Sequence, residues 1–227
     1  MLTSAAVCPH PPLLIPQVAG GAAPELDGLR AACDAAVRRL GPADLLIVVG
    51  SGPSTRDFGS DAAGGLRPYG VDLTFGPGEP VLPLSLTIGR WLIGDRPALF
   101  QSVAEDASPG ACLRLGADLA ELAPAVALLV MGDGSACRDA AAPGYLDPRA
   151  TGFDAAVAAA LAGADRAALA GLDAGLAAEL RAPGRAPWQV LAGAAGDAVY
   201  DPELLADTAP YGVGYLVASW NRRAMTP

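Results

Sequence analysis

The 227-residue chain carries fifteen basic and twenty-four acidic residues, a net charge of −9, and no lysine at all, with 52% of its residues apolar. Without lysine there is no Schiff-base chemistry, no pyridoxal-phosphate anchor and no phosphate-loop lysine. An acidic chain with no basic tract also argues against nucleic-acid and anionic-membrane partners. No apolar run reaches the roughly 20 residues that span a bilayer, and the N-terminus has no basic region ahead of its apolar stretch. The four cysteines, Cys8, Cys33, Cys112 and Cys137, form no C-x-x-C pair, so reduced thiols in a soluble, cytoplasmic protein are expected.

In chain order, Leu2 to Val7, Leu45 to Val49 and Val126 to Met131 are continuous apolar runs bounded by turn residues, the pattern of parallel strands buried on both faces. Gly212 to Ala218 is a fourth candidate. Between the first two runs, Leu26, Leu29, Cys33, Val37 and Leu40 recur at helical spacing, with Pro24 near the start and Gly41 at the end, which completes a βαβ unit. Further helices are expected at Leu84 to Ile93, Ala111 to Leu122, Phe153 to Leu161, Leu172 to Leu180 and Pro187 to Ala195, and short strands at Val71 to Phe75 and Ala98 to Ser102. The alternation predicts one α/β domain over residues 1–227, a three-layer sandwich with a mainly parallel central sheet flanked by helices.

Ligands of open α/β sheets bind beyond the carboxyl ends of the strands. The segments following the three best strands are Cys8-Pro9-His10-Pro11-Pro12, Gly50-Ser51-Gly52-Pro53-Ser54 and Gly132-Asp133-Gly134-Ser135-Ala136, and they can converge on one cleft. His10 is the chain's only histidine. Asp133 could orient it or share a metal with it, and Ser51 or Ser135 could act as a nucleophile with His10 as base. Neither serine lies in G-x-S-x-G, however, which argues against a nucleophile elbow. Ser51, Gly52 and Arg138 are candidate substrate contacts, Arg138 and Arg56 offering a bidentate grip on a small aromatic or carboxylate ligand. Cys8 and Cys137 could offer soft ligands, though buried cysteine more commonly behaves as a small apolar residue. Each residue also has a structural reading: His10 locking the proline turn, Asp133 capping a turn, the arginines lying on the surface, and Trp91, Trp188 and Trp220 supplying core or interface area.

The opening Ala5-Ala6-Val7-Cys8-Pro9-His10-Pro11-Pro12-Leu13-Leu14-Ile15-Pro16 resembles the first motif of the class III extradiol dioxygenase superfamily, the group of the protocatechuate 4,5-dioxygenase β subunit and the Memo proteins, and in particular a small actinobacterial subunit-B-like branch. Leu45 to Ser54, Leu128 to Ala136 and Pro210-Tyr211-Gly212-Val213-Gly214-Tyr215 resemble later parts of the same framework in the same order. The resemblance implies that His10 is the first metal ligand. It also implies a second-ligand histidine near Ser51 to Pro53 and a catalytic histidine near Ser135 or Ala136, and at neither place does this chain have an imidazole. For the third ligand, in Leu191 to Asp197, only Asp197 could substitute. A non-haem iron site wants two imidazoles and a carboxylate. His10, Asp133 and Asp197 could hold a divalent ion, iron or zinc, but a full iron site is not expected.

Three functions follow as expectations. The first is a dioxygenase-like protein with an incomplete metal site, not a working ring-cleavage enzyme, that binds a small molecule or a protein. The second is a divergent metal-dependent dioxygenase or hydrolase using His10 with Asp133. The third is a homo-oligomeric scaffold associating through an apolar surface near Trp220 and Tyr211 to Tyr215. Relatives are often oligomeric, so a homo-oligomer suits all three.

Overall fold

The computed structural model describes residues 1–223. Its strands are β1 (Leu2–Cys8), β2 (Leu45–Gly52), β3 (Arg56–Phe58), β4 (Gly64–Gly65), β5 (Thr74–Phe75), β6 (Leu99–Ala104), β7 (Val126–Met131), β8 (Tyr200–Thr208) and β9 (Tyr215–Arg222). The helices are α1 (Pro16–Ala19), α2 (Asp27–Arg38), α3 (Leu84–Ile93), α4 (Pro109–Glu121), α5 (Ala150–Gly163), α6 (Arg166–Ala170), α7 (Ala174–Glu179) and α8 (Arg185–Ala195). Seven strands form one sheet in the order β3-β6-β2-β7-β1-β9-β8, and β4 pairs with β5 in a small separate ribbon.

The four central strands, β6, β2, β7 and β1, run parallel, while β3 and β9 pair antiparallel at either side. The three expected strands are therefore the middle of the sheet, with β7 inserted between β1 and β2. Alternate residues of each strand enter different cores: Val7, Ile47 and Val49 pack with α4, α5 and α8, whereas Ala6, Cys8 and Val48 pack with α2 and α3. Helices on both faces explain why these strands read as unbroken apolar runs rather than as alternation.

Local chemistry sets the helix ends. In α2, Leu29, Cys33, Ala36 and Val37 are buried, with Asp27 in the first turn and Arg38 in the last, both favourable to the helix dipole. A 3₁₀ turn over Gly20–Leu26 precedes it, so the α-helix begins three residues after Pro24. Ser108 caps α4 by accepting from Ala111 N at 3.3 Å, with Pro109 following. The spans Leu84–Ile93 and Val126–Met131 coincide with the sequence reading.

Three expectations are corrected, and one strand was not foreseen. The strand expected to end at Val49 continues through Gly50, Ser51 and Gly52, which pair with Ser102, Val103 and Ala104 of β6. Gly50 permits this because a Cβ there would come within 2.8 Å of Ser85 Cβ, where α3 packs across the strand. The candidate strand Gly212–Ala218 begins instead at Tyr215 and is antiparallel to β1, because Gly212 takes a positive φ of 71° and turns the chain first. The edge strand β8, Tyr-Asp-Pro-Glu-Leu-Leu-Ala-Asp-Thr, carries acidic residues and a proline, which hide a strand from pattern reading and protect a sheet edge. Trp220 and Tyr215 are buried, Trp220 donating to Leu161 O at 2.8 Å, so they do not form an apolar surface for association.

Candidate functional site

The connections β1 to β2 and β2 to β6 pass through α2 and α3 on one face, and the return from β6 to β7 passes through α4 on the other. Such a change of face opens a crevice beyond the carboxyl ends of the strands. A cleft of about 540 Å³ lies there, lined by His10, Ser51, Gly52 and Pro53, by Pro83, Leu84 and Ser85 at the start of α3, and by Glu105, Asp106 and Pro183. The loops after β1 and β2 thus meet at the cleft, and the loop after β7 supports His10.

Asp133 sits directly against His10. The His10 backbone N–H donates to Asp133 Oδ1 at 2.6 Å, and His10 Nδ1 lies 3.7 Å from the same oxygen, beyond hydrogen-bond length. His10 is 7% and Asp133 9% exposed. Nδ1 is sequestered from solvent with no hydrogen-bond partner, which leaves Nε2 as the ring nitrogen a ligand in the cleft can reach. Burial pushes the Asp133 carboxyl above the usual carboxylate range, against the opposing pull of the His10 ring and backbone N–H. The carboxylate fixes the His10 backbone through its N–H and leaves the ring without a hydrogen bond to it.

Ser135 has a different role from the nucleophile the sequence suggested. It is fully buried: its Oγ donates to Leu180 O at 2.9 Å and accepts from Cys137 N at 3.0 Å, and its backbone N–H donates to Asp154 Oδ1 at 2.8 Å. Its hydroxyl is spent on holding the 132–138 loop. Arg138 is likewise engaged, donating from Nη1 to Asp154 Oδ2 at 2.8 Å, and it does not line the cleft. Arg56 lies over the Phe58 ring, 4.4 Å from its centroid. No arginine among the described residues lines this cleft, so the expected grip on a ligand carboxylate is not formed here.

Asp197 is far from His10. Its exposed side chain pairs with Arg166 beyond the end of α8, in a cavity lined also by Met1 and Leu2 at the start of β1, about 20 Å along the strand from its carboxyl end. Cys8 turns toward α2, where burial and the Cys33 thiol push its pKa well up, and Cys137 donates weakly to Gly144 O at 3.5 Å. Neither thiol is available as a soft ligand. Among the described residues no group of three His, Cys, Asp or Glu side chains is placed to hold a metal ion. The residues therefore do not fit a three-ligand iron site: His10 and Asp133 meet, Ser51 and Gly52 at the same cleft bring no imidazole, and Asp197 is at the other end of the sheet.

The crystal structure of an uncharacterized protein from Escherichia coli K12, JW3007, matches this fold with a TM-score of 0.61 at 16% identity, covering 96% of this chain and 99% of that one. At that identity the likeness is one of fold. No protein-family model and no curated protein matches the sequence.

Several cleft residues were not singled out from sequence. Ser85 donates to Ser51 O at 2.5 Å and fixes α3 against β2; Glu105 and Asp106 follow β6, a strand read only as short. Asp154, on α5, organises the whole 132–138 loop, and Gly134 and Gly214 pack against it so closely that a Cβ on Gly134 would stand 2.6 Å from Oδ1. Two glycines flanking loops that follow strands were the available signal, but nothing in spacing links them to an aspartate on a distant helix.

Proposed function

We propose that this chain is a class III extradiol dioxygenase-like protein, a three-layer α/β sandwich in that superfamily's manner, whose metal site is incomplete. In this reading it does not cleave aromatic rings; it binds a small molecule in the His10 cleft, in the cytoplasm, as a homo-oligomer. The observation that carries the reading is a single imidazole, His10, lining a cleft beyond the carboxyl ends of β1 and β2, with no group of three potential metal ligands around it among the described residues. The likeness of fold to a solved structure over nearly the whole chain is compatible with it.

Anaerobic reconstitution with ferrous iron, followed by desalting, metal analysis and oxygen-uptake assays with catechol and protocatechuate, tests the proposal. Sub-stoichiometric iron and no substrate-dependent oxygen uptake are expected. Tight one-to-one iron with catechol-dependent uptake would overturn it.

A second reading rests on the approach of Asp133 to His10. The His10 ring at the cleft, its Nδ1 shut off from solvent, can take a proton through Nε2 from a bound water or hydroxyl, which suits a divergent metal-dependent dioxygenase or a hydrolase. If His10→Ala leaves both metal content and ligand binding unchanged, that reading fails.

A further inference from the structure

We propose that a second cavity, adjoining the His10 cleft, binds a small monocarboxylate through Arg185, with Arg181 on its wall. The cavity measures about 710 Å³ and shares Glu105, Asp106 and Pro183 with the His10 cleft. That volume is typical of small-molecule sites.

Arg185 begins α8 and is only 3% exposed. Its Nη1 donates to Ala107 O at 2.6 Å and Gln189 Oε1 at 3.0 Å, with Cys112 Sγ at 3.8 Å, and its Nη2 donates to Glu105 O at 2.5 Å. Every one of these acceptors is neutral. Among the described residues Arg185 forms no ion pair, although it carries a full charge out of water; Asp154, also deeply buried, is by contrast paired with Arg138. A buried charge without a counter-ion is costly. A guanidinium has five N–H donors in a planar fork, and here Nε–H and the second Nη2–H have no acceptor among the described residues. Two such donors on one side of the fork are what grips a carboxylate with two parallel hydrogen bonds. The positive end of the α8 dipole adds to the uncompensated potential at the same point.

The rest of the cavity defines the ligand. Arg181 supplies a second cation, its backbone at a φ of 50° that an arginine seldom adopts. Ala174, Ala177, Ala178 and Ala182 form an apolar wall suited to an uncharged body. The exposed carboxylates of Glu105 and Asp106 face the shared side and repel multiply charged anions, which favours a monocarboxylate over phosphate. The site uses neither His10 nor Asp133, so it stands independently of the function proposed above.

Benzoate is a suitable probe and inorganic phosphate the control, with the Arg185 Nε–H resonance of the ¹⁵N-labelled full chain as readout. Saturable movement of that resonance by benzoate in the millimolar range is expected, with weaker movement by phosphate. Arg181→Ala, on the exposed wall, is expected to weaken benzoate about five-fold, Arg185→Lys to abolish the saturable response in a folded protein, and His10→Ala to leave it unchanged. If Arg185→Lys does not fold, the wild-type resonance and Arg181→Ala carry the test. An Arg185 resonance that does not respond, that responds alike to benzoate, phosphate and chloride, or that loses its response in His10→Ala would overturn the proposal.

Discussion

Asp133 and Asp154 are two buried carboxylates within one loop's reach of each other, and they are treated in opposite ways. Asp154 accepts from Ser135 N–H and pairs with Arg138, and two glycines close the backbone around it. Asp133 accepts from the His10 N–H, and His10 Nδ1 lies 3.7 Å away with no hydrogen bond of its own. Burial raises the pKa of both. The difference teaches where the fold has satisfied its buried polar groups and where it has left one unpartnered, behind a residue that lines a cleft: the first is architecture, the second a candidate site.

That contrast breaks most sharply at Asp154. Asp154→Ala strips Arg138 of its partner and Ser135 N–H of its acceptor, and a loss of about 3 to 4 kcal/mol in chemical denaturation is expected. Loss below about 1 kcal/mol would mean that the loop does not depend on this pair. Ser135→Ala removes a hydroxyl that both donates and accepts inside the same loop; about 2 kcal/mol of destabilisation is expected, with benzoate and metal binding unchanged. An activity lost without a stability change would restore Ser135 as a reacting group.

Asp133→Asn is expected to act in the other direction. Asparagine keeps an acceptor for the His10 N–H and removes the buried charge, so a gain of about 1 kcal/mol at neutral pH is expected. The sign follows from linkage. A carboxyl whose folded pKa lies above its unfolded value of about 4 binds its proton more tightly in the native state. Native stability is therefore lost as pH rises from that range through the raised pKa. Asp133→Asn should flatten this part of the stability profile, leaving the same-signed contribution of Asp154; an unchanged profile would show that Asp133 is not strained by burial.

The contrast also marks how far the sequence could be read. The central strands were legible because burial on both faces imposes continuous apolar runs, and α2 because its buried positions recur at helical spacing. That the loops after these strands could converge followed from their shared sheet end, but the approach of His10 to Asp133 came only with the pairing of β1 and β7. What could not be read rests on long-range pairing: β8 hides behind acidic residues and a proline, Arg138 and Ser135 look free until Asp154 arrives from α5, and Asp197, named only through the family resemblance, pairs with Arg166 instead. Arg185 lay two residues before the expected start of its helix, and only the cavity distinguishes it from a surface arginine.

Because His10 is the chain's only imidazole, its two ring nitrogens give unambiguous ¹⁵N signals, and they test the central claim most directly. Zinc added as a diamagnetic divalent ion is expected to shift Nε2 and to leave Nδ1, sequestered against Asp133, nearly unmoved. If neither resonance responds at any zinc concentration, or if Nδ1 responds first, His10 does not present its ring to the cleft and the site described here is only a turn.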